Sequence, residues 1–398
     1  MAVDPKLLDY CVTPRQREVY KVLMQEKSHR AAARALNINK SNVDKVVAAA
    51  KKRAVTKSYA PEYGINRPIP DPLVLSGTTH GVHHEKGEIM TWYKTKTDAA
   101  KQLELLKAAI NACLEDIPAA KPVAAPTHHV LSDLLNLHVL TDYHLGALAW
   151  SQQTRGADWD VEIAADLLVR WWQDAIDRAP DAETGIFCQL GDLIHADNLD
   201  AMTPASGHIL DADTRHAYVI DTVVLSLRRI MQMMLTKYPK VHVIISDANH
   251  DPVGALWMRS FMADLYRDEP RVQVDRSPDT FNSYEHGTVS LGFHHGHKVK
   301  PEHVAKVFTE RFRELYGRTK HTYLHQGHRH HLDDKDYGSA IVFQHPTMAA
   351  KDEYAASRGY ESARLARVDT YSAVGGKIGE IWTTPEMLDA RDRLRAAA

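Results

Sequence analysis

Five histidines fall within eleven residues: His321, His325, His328, His330 and His331. Three more stand together in GFHHGHK, as His294, His295 and His297. Single histidines sit beside carboxylates or amides in three further stretches. TDYHLG holds Asp142 and His144, GDLIHADN holds Asp192 and His195, and DANHDP holds Asn249, His250 and Asp251. An isolated histidine is ordinarily structural, and a His-rich tract alone fits a surface or a tag. Neutral imidazole is also the commonest metal ligand, and 24 histidines in 398 residues is a high count for surface use alone. Metal chemistry requires that all five stretches meet.

The elements around them allow it. NLHVLTDYH, GIFCQLGD, KVHVIISDANHD, TVSLGFHHGH and YLHQGHRHH are each an apolar run ending in His- or Asp-bearing polar residues. Helical patterns such as DVEIAADLLVRWWQDAIDRA and TRHAYVIDTVVLSLRRIMQMML lie between several of them. Strands alternating with helices predict an α/β sheet, and ligands of such sheets gather at the loops beyond the strand ends.

In chain order the stretches give Asp142-Tyr143-His144, Gly191-Asp192, Asn249-His250-Asp251, His295-Gly296-His297 and Gly327-His328-Arg329-His330. This order resembles the calcineurin-like metallophosphoesterases over roughly residues 130–345, the tail completing the sheets. DYHLG looks like the variant found in that family's double-strand-break repair nucleases. The resemblance implies a four-layer α/β sandwich, two mixed sheets flanked by helices, and two divalent metal ions per chain. Asp192 would bridge the ions. Asp142, His144 and His330 would complete one shell; Asn249, His295 and His328 would complete the other. Carboxylate, imidazole and amide ligands together suit Mn²⁺ best, with Fe or Zn²⁺ as alternatives. Two such ions grip a phosphoryl group while a metal-bound hydroxide attacks in line. His250 matches the family's non-ligand histidine, a general acid for the leaving oxygen, and Asp251 is expected to orient its ring. His195 and Arg329 are candidate substrate contacts, while His294, His297, His325 and His331 read as supporting or structural. The sequence departs from the family at Ala248, where a glycine is usual before the Asn-His pair.

Charge divides the chain. Residues 1–60 carry 13 Lys/Arg against 5 Asp/Glu, a balance of +8, and the remainder balances at -10. Such asymmetry points to a nucleic-acid module on an acidic body. Thr13, Pro14 and Gln16 predict a capped first helix. Ser28 caps a short second helix ending near Leu36. Asn37 takes the left-handed turn, Ile38 points inward and Asn39 caps a third helix. Ala33, Asn37 and Val43 have the spacing of a small all-α helix-turn-helix domain, resembling those of many bacterial and phage proteins. Lys40, Ser41, Asn42, Lys45, Lys52 and Arg53 would face the major groove, making DNA the expected partner. The plain alternative is a helical bundle with a solvated basic face.

Residues 61–129 read as linker with a hairpin and an amphipathic helix. That helix carries Leu103, Leu106, Ile110, Cys113 and Ile117 at three/four spacing. It packs on the main domain or pairs with a second copy as a homodimer. The catalytic domain spans 130–398. No run of eighteen apolar residues is present, so no membrane span is expected. The N-terminus lacks a signal-peptide core. Three scattered cysteines give no disulfide framework. A cytoplasmic setting follows, the host cytoplasm if the gene is a phage's. No phosphate-binding Gly-rich loop occurs, so an ATPase partner would be a separate chain. The leading expectation is a nuclease or DNA-end-processing phosphoesterase. The alternatives are a phosphodiesterase or phosphatase on nucleotides, cyclic nucleotides or phosphoproteins, and a DNA-binding regulator with a structural metal site.

Overall fold

The structure, a computed structural model, describes residues 3–57, 59–60, 65–66, 73–83, 87–98, 101, 104, 119–198, 201–203 and 209–397. The chain divides into two compact units, Met1–Ala112 and Cys113–Ala398. The predicted amphipathic helix, and with it the pairing face, lies outside the described residues, as do His84 and the side chains of His80 and His83.

In the first unit, α1 (Pro14–Glu26), α2 (His29–Ala35) and α3 (Lys40–Thr56) enclose Val19, Tyr20, Leu23, Ala32, Ala33, Val43, Ala50 and Ala54. Thr13 Oγ1 accepts from the Gln16 amide at 3.1 Å, and Gln16 Oε1 reaches back to the Val12 amide at 3.1 Å, one residue before the expected position. The turn after α2 follows from Asn37, whose φ is 51°. Its amide donates to Arg34 O at 3.1 Å, and Ile38 N donates to Ala33 O at 2.9 Å. These two bonds use up the last helix carbonyls and direct Ile38 toward the core. Asn39 precedes α3 without a side-chain cap bond. Beyond the helices come β1 (Tyr59–Ala60) with β2 (Ile65–Asn66), then the antiparallel pair β3 (Leu73–His83) and β4 (Gly87–Thr97). That hairpin, read as linker from sequence, belongs to the same unit as the helices.

The second unit contains two mixed sheets. The first has strands β5 (Leu131–Leu140), β6 (Ala182–Gln189), β7 (Lys240–Ile245) and β8 (Val272–Val274) in parallel, with β14 (Ala366–Ser372) and β15 (Gly376–Thr383) added antiparallel beside β5. The second has β10 (Val289–His294), β11 (His321–Gln326) and β13 (Ile341–Gln344) in parallel, edged by β9 (Asn282–His286) and β12 (Asp333–Asp336).

Alternation along each strand decides what it faces. Leu135, Leu137 and Val139 of β5 join Ile186, Cys188 and Ile244, and these meet Val289, Leu291, Phe293 and Phe343 of the other sheet in one cluster. The opposite face, with Leu140, Phe187, Val241, Val243 and Ile245, packs on the helices Val161–Arg178, His216–Lys237 and Pro252–Leu265. Leu324 and Val342 face the helix Pro301–Arg311 through Val304 and Phe308. Strands buried on both faces read as near-continuous apolar runs, which is how they stand in the sequence. His138, on β5, is spent on structure. Its Nε2 lies 2.8 Å from Tyr238 Oη, its ring stacks on Trp172, and burial pushes its pKa down to about 3.

Candidate metal centre

Each of the five polar stretches begins where a parallel strand ends: β5, β6 and β7 in one sheet, β10 and β11 in the other. Main-chain bonds draw the loops together. Asp142 N donates to Gly191 O at 3.0 Å, His144 N to Asp192 O at 3.1 Å and Gly327 N to His295 O at 2.9 Å.

Two sets of donors that include carboxylates result, and the rings of His144, His195 and His250 form a third group whose nitrogens lie within 4.8 Å of one another. Asp142, His144 and His330 bring their ligand atoms within 4.8 Å of one another, and so do Asp142, Asp192, His295 and His328. Asn249 joins the second set, its Oδ1 2.9 Å from His295 Nε2. The carboxylate common to both sets is Asp142, whereas Asp192, given the bridging role by resemblance, stands with the second set. Every second-set side chain except those of His328 and Asn249 is buried.

The donor chemistry fits divalent cations. His144 Nε2 and His330 Nε2 face each other at 3.3 Å. Asp142 Oδ1 lies 3.2 Å from His330 Nε2 but out of hydrogen-bonding alignment, and it is buried with no partner. Two buried carboxylates that, among the described residues, pair with no lysine or arginine need positive charge. Protons answer that need here. Burial alone would depress His295, yet Asp192 and Asp142 raise it to about 9, and Asp142 likewise raises His330. Burial opposes the charge on Asp192, but His295 holds its carboxyl well below the ordinary range. Cations seated among these atoms would replace those protons.

The backbone agrees. Among the described residues nine non-glycine positions have positive φ, and five are in this donor set: Asp142, His144, Asp192, His328 and His330. Left-handed backbone at non-glycine residues costs about 1–3 kcal/mol each and persists where surrounding structure enforces it, commonly at functional sites. Ala248 has no positive φ, so alanine meets no backbone strain there.

Glycine matters at Gly327. A Cβ there would run into Thr141 Oγ1 and Asp142 Oδ2. Neither atom can yield, because Thr141 Oγ1 donates to Asp142 Oδ2 at 2.6 Å and His328 N donates to the same oxygen at 2.7 Å. Gly327→Ala is expected to lower stability by ~1–3 kcal/mol as an overpacked core site does and to weaken metal uptake; urea midpoints and metal titration check both.

The candidates with other roles separate. His250 is half-buried, and its Nδ1 lies 2.9 Å from the main-chain oxygen of His195. Asp251, expected to orient that ring, does not touch it: Asp251 Oδ2 accepts from Ile194 N at 3.0 Å. The reason is register, since Asp251 precedes Pro252 at the start of a helix and is buried toward the β6 loop. His195, expected to meet substrate, is 3% exposed and lies behind His144. Arg329 is exposed between His328 and His330. Two further basic residues near the centre are engaged within the protein: Lys298 pairs with Asp247, and Arg364 donates to Met348 O at 2.9 Å while covering Trp159. In the first unit Lys40, Ser41, Asn42, Lys45 and Lys52 are exposed. Arg53 is committed internally, donating to Tyr10 O at 2.7 Å and Gln16 Oε1 at 3.1 Å, so it is no groove contact.

Sequence reading missed the supports: Thr141, Thr347, whose hydroxyl donates to Asp142 O at 2.6 Å, and the Leu190 carbonyl 2.8 Å from His295 Nδ1. Only TD, at Thr141-Asp142, left a local trace. A further His/Asp group, His325, His345 and Asp369, is buried beside the centre's sheet but is no metal site. Tyr371 Oη is 3.0 Å from His325 Nε2, His325 Nδ1 is 2.8 Å from His345 Nε2, and Asp369 pairs with Arg367 and Lys377. Two side-chain cations already occupy the place of an ion.

No family model matches the sequence, and no curated protein matches it. Among solved structures the chain is similar to a conserved Streptococcus pneumoniae protein described as a predicted phosphoesterase, at 9% identity over 63% of this chain and 98% of that one, with a TM-score of 0.25. It is similar to Vps29 of Entamoeba histolytica in complex with Zn²⁺, at 11% identity over 62% and 98%, TM-score 0.25. A Pyrococcus horikoshii protein aligns at 12% identity over 66% and 94%, TM-score 0.29. Scores this low leave the site's own residues as the ground for its chemistry. Among the described residues no helix is long and apolar enough to cross a membrane.

Proposed function

We propose that this protein is a metal-dependent phosphoesterase of the calcineurin-like type, a four-layer sandwich that hydrolyses phosphodiesters in DNA. The observation that carries the reading is the convergence of Asp142, His144, Asp192, Asn249, His295, His328 and His330 from five strand ends, most of them on strained backbone. Asp142, His144 and His330 would hold one divalent ion; Asn249, His295 and His328 would hold the second, with Asp192 between, and Mn²⁺ suits this mixed donor set. Such ions offset the charge of a phosphoryl group and lower the pKa of water.

The chain's own residues do the rest. The His195 carbonyl accepts from His250 Nδ1 and fixes the ring, so Nε2 is the atom that takes up a second proton, and the imidazolium so formed delivers it to the leaving oxygen. Arg329, exposed beside two ligands, is available to a substrate phosphate. In the first unit, α2, the Asn37 turn and α3 form the helix-turn-helix, and Lys40, Ser41, Asn42, Lys45 and Lys52 are its exposed polar side chains toward DNA. The direct test is purified protein with Mn²⁺ on end-labelled single- and double-stranded DNA beside a chromogenic phosphodiester. Hydrolysis that survives excess EDTA ends the metal reading. Hydrolysis of the small diester with no DNA cleavage moves the substrate to nucleotides.

The two units should also separate. Residues 119–125 pack on the second unit, Ala120 N donating to Leu265 O at 2.7 Å and Arg271 donating to Val123 O at 2.7 Å. A protein shortened to begin at Cys113 is therefore expected to keep its metals and the small-diester activity. It should lose most DNA affinity, since an acidic body lacks the cationic phosphate contacts. Lys45→Glu with Lys52→Glu should mimic it, and each lysine–phosphate pairing removed should flatten the salt dependence by about one unit of log–log slope. Equal DNA binding by intact and shortened proteins would show that the basic unit is no anchor.

A further inference from the structure

His195 touches both a metal donor, His144, and the acid, His250. Its ring is 3% exposed, and its Nδ1 lies 3.4 Å from His144 Nδ1. The two rings meet edge to face, with centroids 5.3 Å apart. On its other side the main-chain oxygen of the same residue lies 2.9 Å from His250 Nδ1, and the His195 and His250 rings stack at 5.6 Å. The chain just before that carbonyl is held: His195 N donates to Leu145 O at 3.1 Å, and Ile194 N donates to Asp251 Oδ2 at 3.0 Å.

A neutral imidazole carries one N–H, and the hydrogen bond at one nitrogen decides what the other can do. His144 Nε2 points at His330 Nε2 and belongs to the donor set with Asp142. To offer a lone pair there, His144 must carry its proton on Nδ1, and among the described residues the acceptor at hydrogen-bond distance from Nδ1 is His195 Nδ1. His250 must likewise keep a proton on Nδ1 for the His195 carbonyl, which leaves the Nε2 lone pair to take up the second proton that the imidazolium then delivers.

We infer that His195 is a positioning residue that sets two tautomers at once, its ring fixing His144 for metal binding and its main-chain carbonyl fixing His250 for proton delivery. This rests on the phosphoesterase reading for its purpose, but the tautomers are properties of the metal-free chain. Asp251 then acts at one remove, by bracing the chain at Ile194, just before the residue that presents the carbonyl. The ring and the carbonyl also have separable consequences, because substitution removes only the ring.

Ring ¹⁵N–¹H correlation spectra of the metal-free, full-length protein near pH 8 read the tautomers directly. His144 and His250 are expected as Nδ1–H tautomers and His195 as Nε2–H, against the Nε2–H form that free histidine prefers. In His195→Phe, His144 should leave the Nδ1–H form while His250 keeps it. Zn²⁺ affinity, measured by calorimetric titration, should fall by ~10–100-fold, the usual cost of losing the group that orients a ligand histidine. His195→Asn, which puts a carbonyl oxygen near the place of Nδ1, should restore most of that affinity. If the Phe side chain cannot be accommodated, His195→Leu serves in the same comparison. His144 found as Nε2–H in the parent protein, or Zn²⁺ affinity unchanged in both the Phe and Leu variants, would overturn the inference. Protein that shows the expected tautomers yet hydrolyses no phosphodiester with any divalent metal would instead overturn the proposed function.

Discussion

Asp192→Asn is expected to strip the centre of metal and to lower phosphodiester hydrolysis by more than the ~10²–10³-fold that loss of one electrostatic donor costs. The carboxylate is buried, takes the Asn249 and His250 amides at 3.0 and 2.9 Å on Oδ1, and meets His295 Nε2 at 3.1 Å on Oδ2. Asparagine keeps the acceptor for the two amides, so the loop survives while the charge is gone. Two cations a few ångström apart repel each other, and the negative charge between them is what makes double occupancy tolerable. Metal analysis should therefore fall from about two ions per chain toward none, with the fold intact by circular dichroism. Retention of one tightly held ion would assign the shared role to Asp142, the carboxylate common to both donor sets.

His250→Ala is expected to do the reverse: leave metal content nearly unchanged and cut turnover by ~10²–10⁴, the worth of a positioned general acid. The ring meets the main chain of His195 and is not among the donors around Asp142. Its loss opens space near His144, whose ring centroid lies 4.6 Å away, but removes no proposed ligand. A leaving group that needs no proton should recover much of the lost rate, so the defect on a nitrophenolate ester should be smaller than on DNA. Loss of metal together with activity would make His250 a ligand.

The residues proposed to do the chemistry were legible because their types are costly to bury without purpose. Asp142, His144, Asp192, Asn249, His250, His295, His328 and His330 all follow apolar runs, and each such run became a parallel strand whose end faces the same place. The apolar runs themselves were likewise written in the chain, whereas which of their residues meet the other sheet, as Leu135, Leu137 and Val139 do, came from the packing. Also written in the chain was the turn at Asn37, where a left-handed residue and the following Ile38 close α2 by local hydrogen bonds.

Partnership was not legible. Asp251 stands beside His250 in the sequence yet reaches Ile194, while the oxygen that meets His250 belongs to His195, fifty-five residues earlier. Arg53 has the composition of a groove contact but is drawn into the helical unit by the Tyr10 carbonyl. His325 and His345 have the residue types of a metal site but close on each other and Tyr371.

The sequence by itself determined which elements form and which strand ends carry the metal-binding types, because periodicity and side-chain chemistry are local. Only the tertiary structure decided which donor each imidazole faces and which carboxylate two donor sets share. Hydrogen bonds are fixed by positions within a few tenths of an ångström, and those positions come from two sheets packing together, not from spacing along the chain.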